Sequence, residues 1–327
     1  MRAIVNDERG LRLSTDRGLP KPGSGEACCA PIRCVVDEAD LRAARTDSGF
    51  RGVLGHQCVA SVTELHESAS PADRERWLGA RVVPSADVAC GSCDLCRGGL
   101  SGHCRSRRVL GLDALDGVFA DRFTIPLRNL VRVPEGVDDD AASLAPSLAS
   151  VVHLPQMVSV AHKLYITVLG DSAVGLLAAQ RLAPLNASVR LLGDDPARFG
   201  LCERWRVRHR HVDEVGRRAD QDVVVVATDR ASDLTTAFGL VRPRGTVVLC
   251  RPIDAEDAGG ADWSPVVRGE LHVLGARRGS VAEALHAIGA GEVDTSGLIT
   301  RRARLDDGTA ALRAALEPGQ IRVAIDP

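Results

Sequence analysis

The chain has 327 residues, enough for about two domains, and 45% of them are hydrophobic, which supplies material for real cores. Acidic and basic residues nearly cancel at 43 against 41, giving a formal net charge of −2, and aromatics contribute only 3%. These values argue against a nucleic-acid partner, a stacking platform for bases or sugars, and a membrane partner, since no apolar run reaches the roughly 18 residues a span requires. Ten cysteines behind an N-terminus that reads as a strand and turn predict a reducing, cytoplasmic setting.

Taken in chain order, residues 1 to about 135 alternate short apolar runs with Gly, Pro and Asp turns. Runs at 2–5, 55–62, 81–84 and 119–125 predict strands of a mostly antiparallel β domain. Residues 20–25 form a turn-rich connection, and 69–78 read as helix or loop. After residue 134 the texture changes. Asp138 or Asp139 is placed to cap a helix running toward 160. Strand-like runs follow at 164–169, 188–192, 222–227, 246–250 and 272–274, with helical patterns between them. Strands alternating with helices predict a doubly wound parallel sheet, so the fold class is α/β with a separate antiparallel β domain. The tail returns to strand, helix and strand at 298–303, 306–316 and 321–325.

The densest chemical signal is Cys90, Cys93, Cys96 and Cys104, spaced C-x2-C-x2-C-x7-C with glycines at 91, 98, 99 and 102. Thiolates at these intervals close around one tetrahedral ion, and four protein ligands leave no open position. Two disulfides or four unrelated thiols are the competing readings. The regular spacing favours one structural zinc per chain.

A second signal follows the first parallel strand. Gly170-Asp-Ser-Ala-Val-Gly175 stands where a dinucleotide-binding turn reads G-x-G-x-x-G, with Ser172 at the second glycine. A Cβ there crowds the approach to a pyrophosphate, while its hydroxyl offers a donor to a phosphate oxygen. Asp194 and Asp195 end the second strand about 20 residues later, where a carboxylate binds ribose hydroxyls and repels a 2′-phosphate. The expected cofactor-binding residues are therefore Gly170, Ser172, Gly175, Asp194 and Asp195, with NAD preferred to NADP.

This arrangement resembles the medium-chain dehydrogenase/reductases, and within them the zinc-containing alcohol dehydrogenase branch with its sugar and polyol dehydrogenases. Gly52-Val-Leu-Gly-His-Gln57 is similar to that family's Gly-His-Glu segment. Phe119-Ala-Asp-Arg-Phe, Val131-Arg-Val-Pro-Glu-Gly-Val and Val241-Arg-Pro-Arg-Gly-Thr-Val-Val resemble later strands. The resemblance implies a GroES-like catalytic domain over 1–138 and 292–327 and a Rossmann domain over 139–291. It also implies hydride transfer between NAD(P) and an alcohol, polyol or carbonyl substrate of small size. A homodimer or tetramer built by pairing the sixth strands is a further implication.

The family holds a catalytic zinc through a Cys in Cys-Gly-Thr-Asp-Leu, the His of Gly-His-Glu, and a later Glu or Cys. Here the first segment falls on Asp37-Glu38-Ala39-Asp40-Leu41, so Asp37 takes the cysteine position. His56 matches the histidine, Ala145 stands at the third ligand, Ala39 replaces the relay hydroxyl and Gln57 replaces the glutamate. Asp37 and His56 are thus the expected catalytic anchors, without a normal second zinc. A catalytically degenerate relative that keeps the fold, the structural zinc and a nucleotide is the alternative.

Overall fold

The computed structural model describes residues 1–45, 47–158, 164–186, 188–253 and 262–327. The chain forms two compact units, Met1–Pro146 with Thr295–Pro327, and Ser147–Asp294. The expected division lay at 138/139 and 291/292; the helix Asp139–Ala149 carries the chain past the first of these points.

The first unit opens with a hairpin of β1 (Ala3–Asp7) and β2 (Gly10–Ser14), then the long strand β3 (Glu26–Val36) and helix α1 (Glu38–Ala43). Next come β4 (Gly52–Val53), β5 (Cys58–Leu65), α2 (Pro71–Trp77), β6 (Arg81–Pro84) and β7 (Asp87–Val88). Helix α3 (Asp94–Arg97) precedes β8 (Arg108–Leu110), β9 (Ala114–Leu115), β10 (Phe123–Pro126) and β11 (Leu130–Arg132). Helix α4 (Asp139–Ala149) leads onward, with the Asp138 carboxylate accepting from the Ala141 amide at 2.8 Å as its cap.

The second unit holds α5 (Leu154–Val158), β12 (Ile166–Leu169), α6 (Ala173–Leu182), β13 (Val189–Gly193), α7 (Phe199–Arg204) and β14 (Arg208–His211). It continues through β15 (Gln221–Val226), α8 (Ala231–Leu240), β16 (Val241–Leu249), α9 (Ser264–Arg268), β17 (His272–Gly275) and α10 (Val281–Gly289). The return to the first unit supplies β18 (Ile299–Arg304), α11 (Gly308–Ala314) and β19 (Arg322–Asp326).

In the first unit one sheet runs β11-β6-β5-β3-β19-β18, with β10 also paired to β3, and a smaller sheet runs β2-β1-β4. Apart from the parallel β18–β19 pair this large sheet is antiparallel. Its core is packed with Ile4, Leu54, Leu110, Phe119 and Ile125, all shielded from solvent. In the second unit six parallel strands run β14-β13-β12-β15-β16-β17, the doubly wound order 3-2-1-4-5-6. The near-continuous apolar runs of β12 and β15 follow from burial on both faces of the sheet. No helix among the described residues is long and apolar enough to cross a membrane.

The second-unit strands fall close to where their apolar runs predict them. The first-unit runs at 55–62 and 119–125 instead become strands at Cys58–Leu65 and Phe123–Pro126. Gly55 accounts for both shifts. It sits at φ +96, and a Cβ there would lie 2.3 Å from Cδ1 of Phe119. The backbone of 54–55 is thereby given over to 118–119, through Val118 N–H to the Gly55 carbonyl and Phe119 N–H to the Leu54 carbonyl, both 2.9 Å. The helix expected from 138 toward 160 is realised as α4 and α5, and residues 159–163 lie outside the described ones.

Gly55→Ala therefore combines an unfavourable backbone angle with an overpacked aromatic contact. It is expected to lower the stability of the first unit by about 2–4 kcal/mol. Denaturant unfolding at constant m-value checks this, and an unchanged midpoint contradicts it.

Candidate functional site

The four cysteines come together in one exposed loop. Cys93 occupies the N-cap position of α3, and the turn 101–103 presents Cys104. Gly91 and Gly99 both adopt φ +79, the left-handed conformation that the tight reversals require. Arg105 spans the loop by a two-pronged bond to the Asp94 carboxylate. The Sγ atoms of Cys93 and Cys96 are 3.5 Å apart, while Cys90–Cys96 and Cys93–Cys104 are each 3.9 Å apart. All four lie within 4.8 Å of one another. Thiolates 2.3 Å from a tetrahedral zinc are separated by about 3.8 Å, so this cage fits the ion. The backbone N–H groups of Ser92 and Cys93 donate to Cys90 and pull its thiol down to about 6, favouring the thiolate a metal needs. With four sulfur ligands such an ion has a structural role.

A second constellation surrounds His56. Asp37 is the N-cap of α1, where its Oδ1 accepts from the Ala39 amide at 2.9 Å. Asp40 completes the capping box by accepting from the Asp37 amide at Oδ2, 2.9 Å. The other oxygen of Asp40 lies 2.7 Å from Nδ1 of His56. A carboxylate oxygen only accepts, so Nδ1 carries the proton and Nε2 presents its lone pair. The Gln57 amide nitrogen sits 3.1 Å from that Nε2. Asp37, Asp40, His56 and Gln57 are all buried.

From β19, Arg322 reaches the same place. It donates to Asp37 Oδ2 at 2.7 Å and to Glu38 Oε2 at 2.8 Å. Burial opposes its charge, but Glu38 and Asp37 more than offset this and raise its pKa. The structure thus brings both expected catalytic anchors onto Asp40. The Asp37 carboxylate is committed to a helix cap and a guanidinium, and Ala145, buried in α4, presents a methyl group. Among the described residues the four cysteines are the one group of three or more potential ligands, so the residues around His56 do not fit a second zinc. Asp40 and Arg322 were not singled out from the sequence. The Asp-x-x-Asp spacing before a helical stretch is a capping-box signal that points to Asp40; nothing local marks Arg322.

In the second unit the turn after β12 narrows as a phosphate-binding loop does. Gly170 adopts φ +106, and a Cβ there would meet the Thr228 methyl at 2.3 Å. A Cβ on Gly175 would fall 2.0 Å from the Gly170 carbonyl oxygen, so α6 can approach β12 only with glycine at that position. Ser172 is the N-cap of α6. Its hydroxyl accepts from the Gly175 amide at 3.3 Å and donates to the Ala227 carbonyl at 2.9 Å. The hydroxyl is thus turned into the fold.

Asp171 is buried and fixes the acidic pair. One of its oxygens accepts from the Asp194 and Asp195 amides at 3.1 and 2.9 Å, and the other accepts from Arg198 at 3.0 Å. Asp195 caps the following turn through the Ala197 amide. Asp194 pairs with Arg230 at 2.5 Å. Burial opposes charge on Asp194, yet the Arg230 guanidinium holds its carboxyl below the usual range. A cavity of about 620 Å³ opens beside Asp194, lined by Asp194, Asp213, Arg217, Arg230, Asp233 and Thr236 among others. The tight turn at the head of α6 and the acidic residue beyond β13 have the layout of a dinucleotide-binding loop.

Cys93→Ser should release the metal and destabilise the loop, because binding of a structural ion is coupled to folding and is worth several kcal/mol. Metal analysis should fall from about one zinc per chain to near zero, with a lower melting temperature. An unchanged metal content and melting temperature contradict the assignment.

Comparison with known proteins agrees with these features. Residues 25–135 match the family model described as alcohol dehydrogenase GroES-like domain. An L-threonine 3-dehydrogenase of Chelativorans sp. is 27% identical over 350 residues, covering 98% of each chain. The fold superposes with a TM-score of 0.86 on a putative zinc-binding dehydrogenase from Sinorhizobium meliloti bound to NADP, 21% identical, over 100% of this chain and 99% of that one. It superposes equally, at 0.86, on a protein from Escherichia coli described as a short chain alcohol dehydrogenase complexed with NADH, 19% identical, with the same coverage. Residues 25–135 thus form an alcohol dehydrogenase GroES-like domain, and the chain as a whole, with its doubly wound sheet and four-cysteine cage, is similar to zinc-containing dehydrogenases of the medium-chain dehydrogenase/reductase family.

Proposed function

We propose that the protein is a nicotinamide-dinucleotide-dependent oxidoreductase that interconverts an alcohol or polyol with its carbonyl form, with NAD(H) preferred to NADP(H). The observation that carries this reading is the turn at Gly170–Gly175, set at the head of α6 in a 3-2-1-4-5-6 sheet with Asp194 beyond the second strand. The amides at the start of α6 receive the pyrophosphate, and Asp194 and Asp195 disfavour a ribose 2′-phosphate. The dinucleotide, when bound, supplies the hydride acceptor or donor.

The protein's own part in the reaction is proton handling. His56 holds its Nδ1 proton against Asp40, which leaves Nε2 to accept the proton of a substrate hydroxyl in competition with the Gln57 amide. The buried Asp40 carboxylate then stabilises the imidazolium. Asp37, tied to Arg322, keeps α1 and therefore Asp40 in register. A catalytically degenerate relative is the second reading. It is favoured by the Ala145 methyl and by the engagement of Asp37 with Arg322.

The two readings separate in one experiment. With NAD⁺ and a panel of short alcohols and polyols, absorbance at 340 nm should rise. His56→Gln should lower kcat by about 10²–10⁴-fold while calorimetric NADH affinity stays within about threefold. Dinucleotide binding without turnover on any of these substrates supports the degenerate reading, and turnover indifferent to His56→Gln removes the proton-transfer role.

We propose also that the protein is a homodimer or dimer-based tetramer. Strand β17 is the last of the parallel sheet and pairs on one side only among the described residues. Its open edge is a template for the same strand of a second copy. Light scattering at micromolar concentration should give a mass of two or four chains; a strict monomer contradicts this.

A further inference from the structure

The cavity beside Asp194 sets two arginines, Arg217 and Arg230, among three carboxylates, Asp194, Asp213 and Asp233. Arg230 bridges two carboxylates, with Nη1 on Asp194 at 2.5 Å and Nε on Asp233 at 2.9 Å. Thr228 holds Asp233 from the other side at 2.6 Å. The Nη2 group of Arg230 makes no hydrogen bond among the described residues, and its side chain is half exposed to the cavity. Across the same cavity, Arg217 donates to the Thr236 hydroxyl at 3.3 Å and meets no carboxylate among the described residues. A guanidinium carries five donors, so Arg230 can keep Asp233 and still present a fork to a new anion.

The acidic residue after the second strand selects for NAD only when its charge faces the ribose uncompensated. Here Asp194 is already neutralised by its neighbour. With an unphosphorylated ribose, one Asp194 oxygen stays on Arg230 and the other accepts from the ribose hydroxyls. With a 2′-phosphate, Arg230 exchanges Asp194 for the phosphate, and Arg217 supplies a second cation.

We infer that Arg230, supported by Arg217, is the residue that sets discrimination between NAD(H) and NADP(H) in this protein, holding the preference for NAD(H) small and making it reversible by one substitution. The inference rests on the proposed dinucleotide-dependent function. It assigns no part of the chemical step to Arg230, so binding alone reads it.

Calorimetry of the full chain with NADH and with NADPH tests it, with adenosine 2′,5′-bisphosphate against AMP to place any difference at the 2′-phosphate. The wild type should bind NADH more tightly by less than about tenfold. Arg230→Gln should weaken NADPH at least tenfold more than NADH and so widen the ratio, whereas Arg230→Lys should keep it near the wild-type value. Asp194→Asn should invert the preference. Thermal melts of each variant establish that it is folded; a variant that does not fold is replaced by Arg217→Gln, which should shift the ratio in the same direction as Arg230→Gln. If wild type binds both dinucleotides and neither arginine substitution moves the ratio beyond twofold, the inference is overturned and the dinucleotide reading stands. If wild type binds neither, both are overturned.

Discussion

A carboxylate without solvent contact has to satisfy both oxygens from within the protein, and Asp40 meets that requirement by joining two otherwise separate pieces of the first unit. One oxygen closes the capping box of α1, and the other fixes the imidazole of His56. Burying such a charge costs several kcal/mol if any partner is missing. The start of α1, the histidine tautomer and the Asp37 amide are therefore set together. Arg322 extends this network, because Asp37 and Glu38 would otherwise add two more acids to a region that already holds Asp40. The guanidinium places a fixed positive charge beside Asp37.

The second unit solves a similar problem at the turn after β12. Asp171 follows the conformationally special Gly170, and its buried carboxylate gathers the amides of Asp194 and Asp195. The space is tight: a Cβ on Gly193 would lie 2.5 Å from its carboxylate. Ser172, at a position where glycine is usual, has a similar inward role by capping α6 and bonding the end of β15 through Ala227. The serine hydroxyl and the Asp171 carboxylate make the loop rigid before any ligand arrives, which lowers the ordering cost of binding.

What was legible in the sequence was whatever the chain encodes locally or periodically. The parallel strands β12 and β15 announce themselves because burial on both faces makes them continuous apolar runs. The cysteine cage is legible because its ligands lie within 15 residues and its geometry depends on glycine turns. The strand β3, the longest in the first unit, carries no comparable signal: Cys28, Cys29 and Cys34 are buried beside Pro31 and Arg33, and its pairing with β5 shifts register. The partner choices around the site were less visible still. Arg322 lies 285 residues from Asp37, and Arg230 lies 36 from Asp194, separations at which spacing carries no information. The side chains of Asp37 and Ser172 illustrate the same limit. Their positions follow from resemblance, but the direction in which each hydroxyl or carboxylate turns is decided by whichever cap or cation the fold brings to it.

The discontinuous first unit has a bearing on how the chain is made. At roughly 5–20 residues per second, Arg322 leaves the ribosome about 15 to 60 s after Asp37. During that interval β3 lacks its β19 neighbour, and the three acids at the head of α1 lack their guanidinium. The whole second unit is synthesised in between, and its six-stranded sheet needs nothing from the tail. The nascent chain is thus ordered with a finished second unit ahead of an unfinished first unit. In that window the edge of β3 that later receives β19 is a strand edge still waiting for its partner.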